Sequence, residues 1–215
     1  MDTTVACQTI RMVRNLTVPG ELPVAKPRRD SAATRRRLLA AATDEFASRG
    51  IAGARVDRIA SSAQANKRLI YDYFGDKDGL FDAVLNAHME RIIGAVPLHA
   101  TDLSAYAGDL FDYVAGHPDL LRLVTWARLE GRLGPVAQAR SLESYRRRLA
   151  SIEDAQRDGH VTARLTPAQI LVLIESIAVG WIVTASELLS RSDDDASDRQ
   201  ALREIIVDSV RRLTT

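Results

Sequence analysis

The stretch from Arg55 to Lys77, RVDRIASSAQANKRLIYDYFGDK, reads as two short helices with a three-residue break between them. In the first, Val56, Ile59, Ala60 and Ala63 recur at i, i+3, i+4 and i+7, the spacing of a buried stripe. In the second, Ile70 and Phe74 form the inward i, i+4 pair, and Asn66 occupies the N-cap position, where its side-chain oxygen can accept from amides two or three residues on. At about 100° per residue, Lys67, Arg68, Tyr71 and Asp72 project from the side opposite Ile70 and Phe74. A basic and aromatic face on a short helix has the chemistry of an element laid in a DNA major groove.

On the N-terminal side, a helix is predicted from Ser31 to Arg49, with Leu38, Leu39, Ala42 and Phe46 inward and Gly50 as the residue at which the chain turns away. On the C-terminal side, Asp76 is the expected N-cap of a helix that carries Leu80, Phe81, Val84, Leu85 and Met89 inward as far as Pro97. Residues 1–30 contain Pro19, Gly20, Pro23 and Pro27 without a sustained period and read as a flexible arm ending in Lys26-Pro27-Arg28-Arg29. Two roles stay open for that arm: contact with a phosphate backbone or minor groove beside the reader, or none.

From Thr34 to about Leu85 the chain resembles the N-terminal domain of TetR-type transcriptional regulators. The resemblance rests on TRRRLLAAATDEFASRG, VDRIASSAQANKRLIYDYF and GDKDGLFDAVL, and on the ordered run Phe46, Gly50, Val56, Ile59, Ala60, Tyr71, Phe74 and Lys77. Gln64 and Ala65 stand where the turn of that family usually has Gly-Val, Arg55 where Ser or Thr usually caps the second helix, and Leu69 where a smaller residue is usual. The resemblance implies an all-α, nine-helix architecture: a helix-turn-helix domain over 31–91 and a helical effector-binding and dimerisation domain over 92–215. It further implies a homodimer on a double-stranded DNA operator, released by a small-molecule effector; the alternatives are an activator of the same fold and, behind it, a helical ligand-binding protein or enzyme without a DNA role.

Charge follows this division. The chain carries 29 Lys and Arg against 28 Asp and Glu, yet Lys26 to Lys77 holds 12 against 6, net +6, leaving −5 for the rest. A basic end on an acidic body is the footprint of a protein that touches phosphate with one end. Thr34, Arg55, Tyr73 and Lys77, at helix starts and edges, are the expected phosphate contacts. Lys67, Arg68, Leu69, Tyr71 and Asp72 are the expected base contacts: Lys or Arg on guanine O6 and N7, Leu69 and Tyr71 on a thymine methyl, Asp72 on cytosine N4 or, in the plainer role, orienting Arg68.

The lone Cys7 and the absence of a continuous apolar leader point to a cytoplasmic protein. Ile170 to Leu189 has the length of a membrane span, but Glu175 inside it reads instead as part of a helix buried by protein. His88, His99, His117 and His160 are scattered with no i, i+4 pair, and no nucleophile or phosphate-loop motif occurs, so no catalytic residue, metal or cofactor is expected and the chain does not read as an enzyme.

Beyond Pro97 five further helices are predicted, at about 102–115, 118–129, 135–157, 167–189 and 198–213. The last two carry more apolar residues than one core face needs, and the surplus is expected to form a four-helix dimer seam that includes Ile177, Trp181, Ile205, Ile206 and Val210. For an apolar or aromatic effector, the candidates are Tyr106, Phe111, Tyr113, Trp126, Arg128, Glu130 and Trp181, with Trp126 foremost because Arg128 and Glu130 lie close in sequence.

Overall fold

Nine α-helices and no strand make up the residues described by a computed structural model, 28–131, 135–184 and 195–215. They are α1 (Arg28–Gly53), α2 (Val56–Ser62), α3 (Lys67–Phe74), α4 (Lys77–Ala95), α5 (Leu103–Gly116), α6 (Pro118–Leu129), α7 (Pro135–Arg157), α8 (Pro167–Thr184) and α9 (Asp195–Thr214). The expected arm, apart from its last three residues, and the expected end of the eighth helix beyond Thr184 lie outside the described residues.

Local chemistry explains most of the boundaries. α1 is kinked at Gly50, whose φ of 67° and ψ of 179° belong to a region that only glycine enters freely. Asn66 caps α3 by accepting from the Arg68 amide at 2.8 Å, and Asp76 caps α4 by accepting from the Gly79 amide at 2.7 Å. At Gly79 a Cβ would stand 2.1 Å from the Phe74 carbonyl oxygen, so the tight passage from α3 to α4 requires glycine.

The turn between α2 and α3 keeps its geometry without the usual glycine. Gln64 adopts φ +49°, the one non-glycine residue in that region among those described. The turn is closed by Gln64 N–H to Ser61 O, Ala65 N–H to Ala60 O, and Arg37 Nε to Ala63 O. Arg55 gives α2 no side-chain cap. Instead Glu45 reaches over from α1, accepting from the Arg55 amide at 3.0 Å and from Arg58 Nε at 2.8 Å. The Arg58 hydrogen bonds hold its carboxyl below the usual carboxylate range, against the opposing effect of burial.

Two hydrophobic clusters follow. The first joins Leu38, Ala42 and Phe46 of α1 to Ile59, Ile70, Leu80, Phe81 and Leu85, with Phe46 and Phe81 edge to face at 5.2 Å. Leu123 and Ala127 of α6 belong to this cluster, so a helix from the expected second domain completes the core of the first. The second cluster packs α5, α7, α8 and α9 through Tyr106, Phe111, Ile152, Ile170, Ile174, Ala178, Ile206 and Val210. Arg203 of α9 braces it from outside, pairing with Asp109 and Asp112 of α5 at 3.2 and 2.6 Å.

This packing corrects two of the residues expected at a dimer seam. Ile206 and Val210 are both 0 % exposed within the single chain and have no surface to offer a second copy. The apolar stripe of α9 was read correctly, but α5 covers it, and a stripe does not say which neighbour it meets.

Candidate nucleic-acid interface and effector site

α3 stands on the first cluster through Ile70, with Leu69, Tyr73 and Phe74 packed partly against it. Its outward face carries Lys67, Arg68, Tyr71 and Asp72, all exposed, with the Arg68 side chain 85 % accessible. Each cation on this face has a carboxylate neighbour: Lys67 Nζ lies 2.8 Å from Asp57 Oδ1 on α2, and Arg68 Nε lies 3.9 Å from Asp72 on the next turn. The second pair joins residues one helical turn apart on α3. The first had no signal in the sequence, because it joins separate helices across the turn.

The residues expected to meet phosphate divide. Arg55 is exposed at the start of α2. Thr34 is half-buried and accepts weakly from Arg37 at 3.4 Å, and Tyr73 is half-buried with its ring edge-on to Phe74 at 6.1 Å. Lys77 is engaged elsewhere: its ammonium donates to the Ile51 carbonyl at 2.8 Å, satisfying an oxygen left open just past the kink in α1. Arg35, not singled out from sequence, lies over the Phe74 ring at 5.3 Å.

In the body, the effector candidates do not converge on one pocket. Tyr106 and Phe111 are buried in the second cluster, Trp181 is half-buried against it, and Tyr113 stacks on His117 at 4.2 Å. Trp126 lies at the junction with the reader, where its six-membered ring would be 3.0 Å from a Cβ placed on Gly50. It borders a surface depression of about 470 Å³ together with Ala47 and Ser48 of α1, Leu121, Thr125 and Leu129 of α6, and Val183 of α8. Arg128 and Glu130 are exposed and do not line that depression.

A polar network missed from sequence surrounds Tyr106 instead. Arg148 of α7 donates to the Tyr106 hydroxyl at 2.8 Å and to Glu175 Oε1 of α8 at 3.3 Å, and the Tyr145 hydroxyl donates to Glu175 Oε2 at 3.1 Å. Burial pushes the Glu175 carboxyl up, outweighing the lowering by Tyr145, Arg148 and Arg128, and burial likewise pushes up the Tyr106 and Tyr145 hydroxyls. An acid inside the run ILVLIESIAVGW was the signal available; its partners, 27 and 30 residues away, were not legible.

A second buried polar group lies where the clusters meet. His88 of α4, 3 % exposed, lies 3.3 Å from Thr43 Oγ1 of α1 and 3.8 Å from Asp119 of α6. Thr43 gives its own proton to the Leu39 carbonyl, so its oxygen accepts from His88 Nε2–H. Burial, joined by Arg91, lowers the imidazole pKa below the ordinary histidine value, although Asp119 acts in the other direction.

Among the described residues no helix is long and apolar enough to cross a membrane. Residues 38–84 match the model for bacterial regulatory proteins of the tetR family, and residues 102–212 the model for a tetracyclin repressor-like C-terminal domain. The chain is 39 % identical over 189 residues to the HTH-type transcriptional repressor SCO4008 of Streptomyces coelicolor, covering 86 % of this chain and 97 % of that one. The crystal structure of SCO4942 from Streptomyces coelicolor superposes with a TM-score of 0.72 at 39 % identity, covering 84 % of this chain and 98 % of that one. A TetR family transcription regulator from Marinobacter aquaeolei VT8, 17 % identical, shares the fold with a TM-score of 0.68 over 85 % of this chain and 98 % of its own.

Proposed function

We propose, for a chain that belongs to the TetR family of bacterial regulatory proteins and is a DNA-binding transcriptional regulator, that it is a homodimeric cytoplasmic repressor which leaves a palindromic operator when a small molecule binds its body. The observation that carries the DNA reading is the α3 face: Lys67, Arg68 and Tyr71 exposed on a capped helix whose opposite side is fixed in the first cluster. Repression is supported by the likeness to a repressor over most of both chains.

In this reading, 31–91 is the reader and 92–215 the body, and α6 couples them because Leu123 and Ala127 pack in the reader's cluster while Leu121 packs against the body's cluster. The dimer seam runs along Leu173, Ile177, Gly180 and Trp181 of α8, at i, i+4, i+7 and i+8, and along Ile205 of α9, which is 50 % exposed. Two readers carried on such a dimer meet half-sites about one helical turn apart. A shift of α6 on effector binding would change their spacing.

Selection of bound sequences from a random duplex library, followed by a gel shift at moderate salt, tests the reading. A palindromic consensus bound by a dimer is expected; binding of all sequences alike would overturn it.

A further inference from the structure

Arg148 and Glu175 form a half-buried ion pair in the body, and its chemistry restricts what can enter there. Resting on the effector reading above, we propose that the effector is an amphipathic carboxylic acid whose carboxylate takes the place of Glu175 on Arg148.

The geometry supplies a receptor for one oxyanion. Arg148 Nη1 donates to the Tyr106 hydroxyl at 2.8 Å and to Glu175 at 3.3 Å, while its guanidinium lies 5.4 Å above the Tyr106 ring. Arg148 is therefore held by α5 as well as by α8, and a planar donor fork of this kind matches a carboxylate. The titratable and charged groups facing Glu175 are Tyr106 from α5, Arg128 from the end of α6, and Tyr145 and Arg148 from α7.

The pair also responds unequally to an incoming charge. A cation binding to Glu175 would leave Arg148, which cannot lose its proton, without a counter-ion and only partly solvated. A carboxylate binding to Arg148 displaces Glu175, and a carboxyl displaced in a desolvated setting takes up a proton and becomes neutral. Only the acid has a route that leaves no buried charge unpaired. Val179 and Ile182, at i+4 and i+7 from Glu175 and half-buried, and Leu142, one turn before Tyr145 and 49 % exposed, give the rest of the ligand an apolar surface.

Calorimetric titration of the full chain with octanoate, decanoate, phenylacetate and indole-3-acetate, each beside its primary amide and its amine, tests the class. Carboxylates should bind at least about tenfold more tightly than the matched amides. Titration in two buffers of different ionisation heat should show uptake of about one proton, with affinity rising as pH falls. Glu175→Gln, which keeps an acceptor for Tyr145 and Arg148, should retain the carboxylate preference and lose the proton uptake. Arg148→Met should lose the preference; if it fails to fold by circular dichroism, the wild-type and Glu175→Gln titrations still decide. No carboxylate binding better than its amide, an amine binding better than the acid, or proton uptake unchanged in Glu175→Gln would each overturn the proposal. The operator selection without ligand reads the reader alone, so failure there is separate from failure here.

Discussion

Trp126 and Gly50 are in direct contact: the indole of α6 lies over the glycine at which α1 kinks, 3.0 Å from where a Cβ would stand. The body thus touches the reader at the point where the first helix changes direction. Gly50→Ala must adopt a φ of 67° and also push the indole aside, and should destabilise the fold by at least about 1 to 3 kcal/mol in urea melts. Trp126→Ala removes a half-buried ring and should cost less than the roughly 3 to 5 kcal/mol of a core tryptophan. Amide hydrogen exchange should then speed up over Ala47 to Ala54 while the α5–α9 core stays protected.

At the reader, Arg68→Ala should weaken the preferred site by about 1 to 3 kcal/mol and relax the consensus at one position, because Arg68 is the most exposed cation on the α3 face and its carboxylate neighbour is distant at 3.9 Å. Asp57→Asn releases the Lys67 ammonium from its 2.8 Å partner. Random DNA should then bind more tightly, with a steeper dependence on salt, as a cation becomes free for phosphate. Quantitative gel shifts on consensus and scrambled duplexes at several salt concentrations check both.

His88 links folding stability to pH. Its pKa is lowered in the fold by burial, so the unfolded chain binds protons more readily between the folded value and the ordinary one. Stability is accordingly complete above about pH 6.5 and falls as pH drops through that window, with a slope of at most about 1.4 kcal/mol per pH unit. His88→Gln, which can still donate to Thr43, should flatten the acid limb of a stability-against-pH curve; an unchanged limb would assign it to other groups.

Ile205 and Ile206 are adjacent in sequence and opposite in role. Ile206→Glu places a carboxylate in a site with 0 % exposure and should unfold the body, at a cost of several kcal/mol. Ile205→Glu, on the exposed side of α9, should leave helicity unchanged and shift sedimentation from dimer to monomer. A folded Ile205→Glu protein that remains dimeric would move the seam off α9.

The sequence by itself determined what depends on neighbours within a few residues. The periods of α1 to α4, the Asn66 and Asp76 caps and the outward face of α3 all follow from 3.6-residue geometry and local hydrogen bonding, and all are present in the fold. Even the missing turn glycine was visible as Gln64, though only the fold shows that it keeps a positive φ.

Tertiary structure decided what depends on which helix meets which. Glu45 stands in for the cap that Arg55 lacks, Lys77 turns to the Ile51 carbonyl, α5 covers Ile206, and Tyr106, Tyr145, Arg148 and Glu175 meet from three helices. A helix announces its apolar and polar faces through spacing, but the partner of each face is fixed only by packing of the whole. Long polar side chains then reach across 10 to 42 residues of chain to satisfy groups that burial would otherwise leave without a partner.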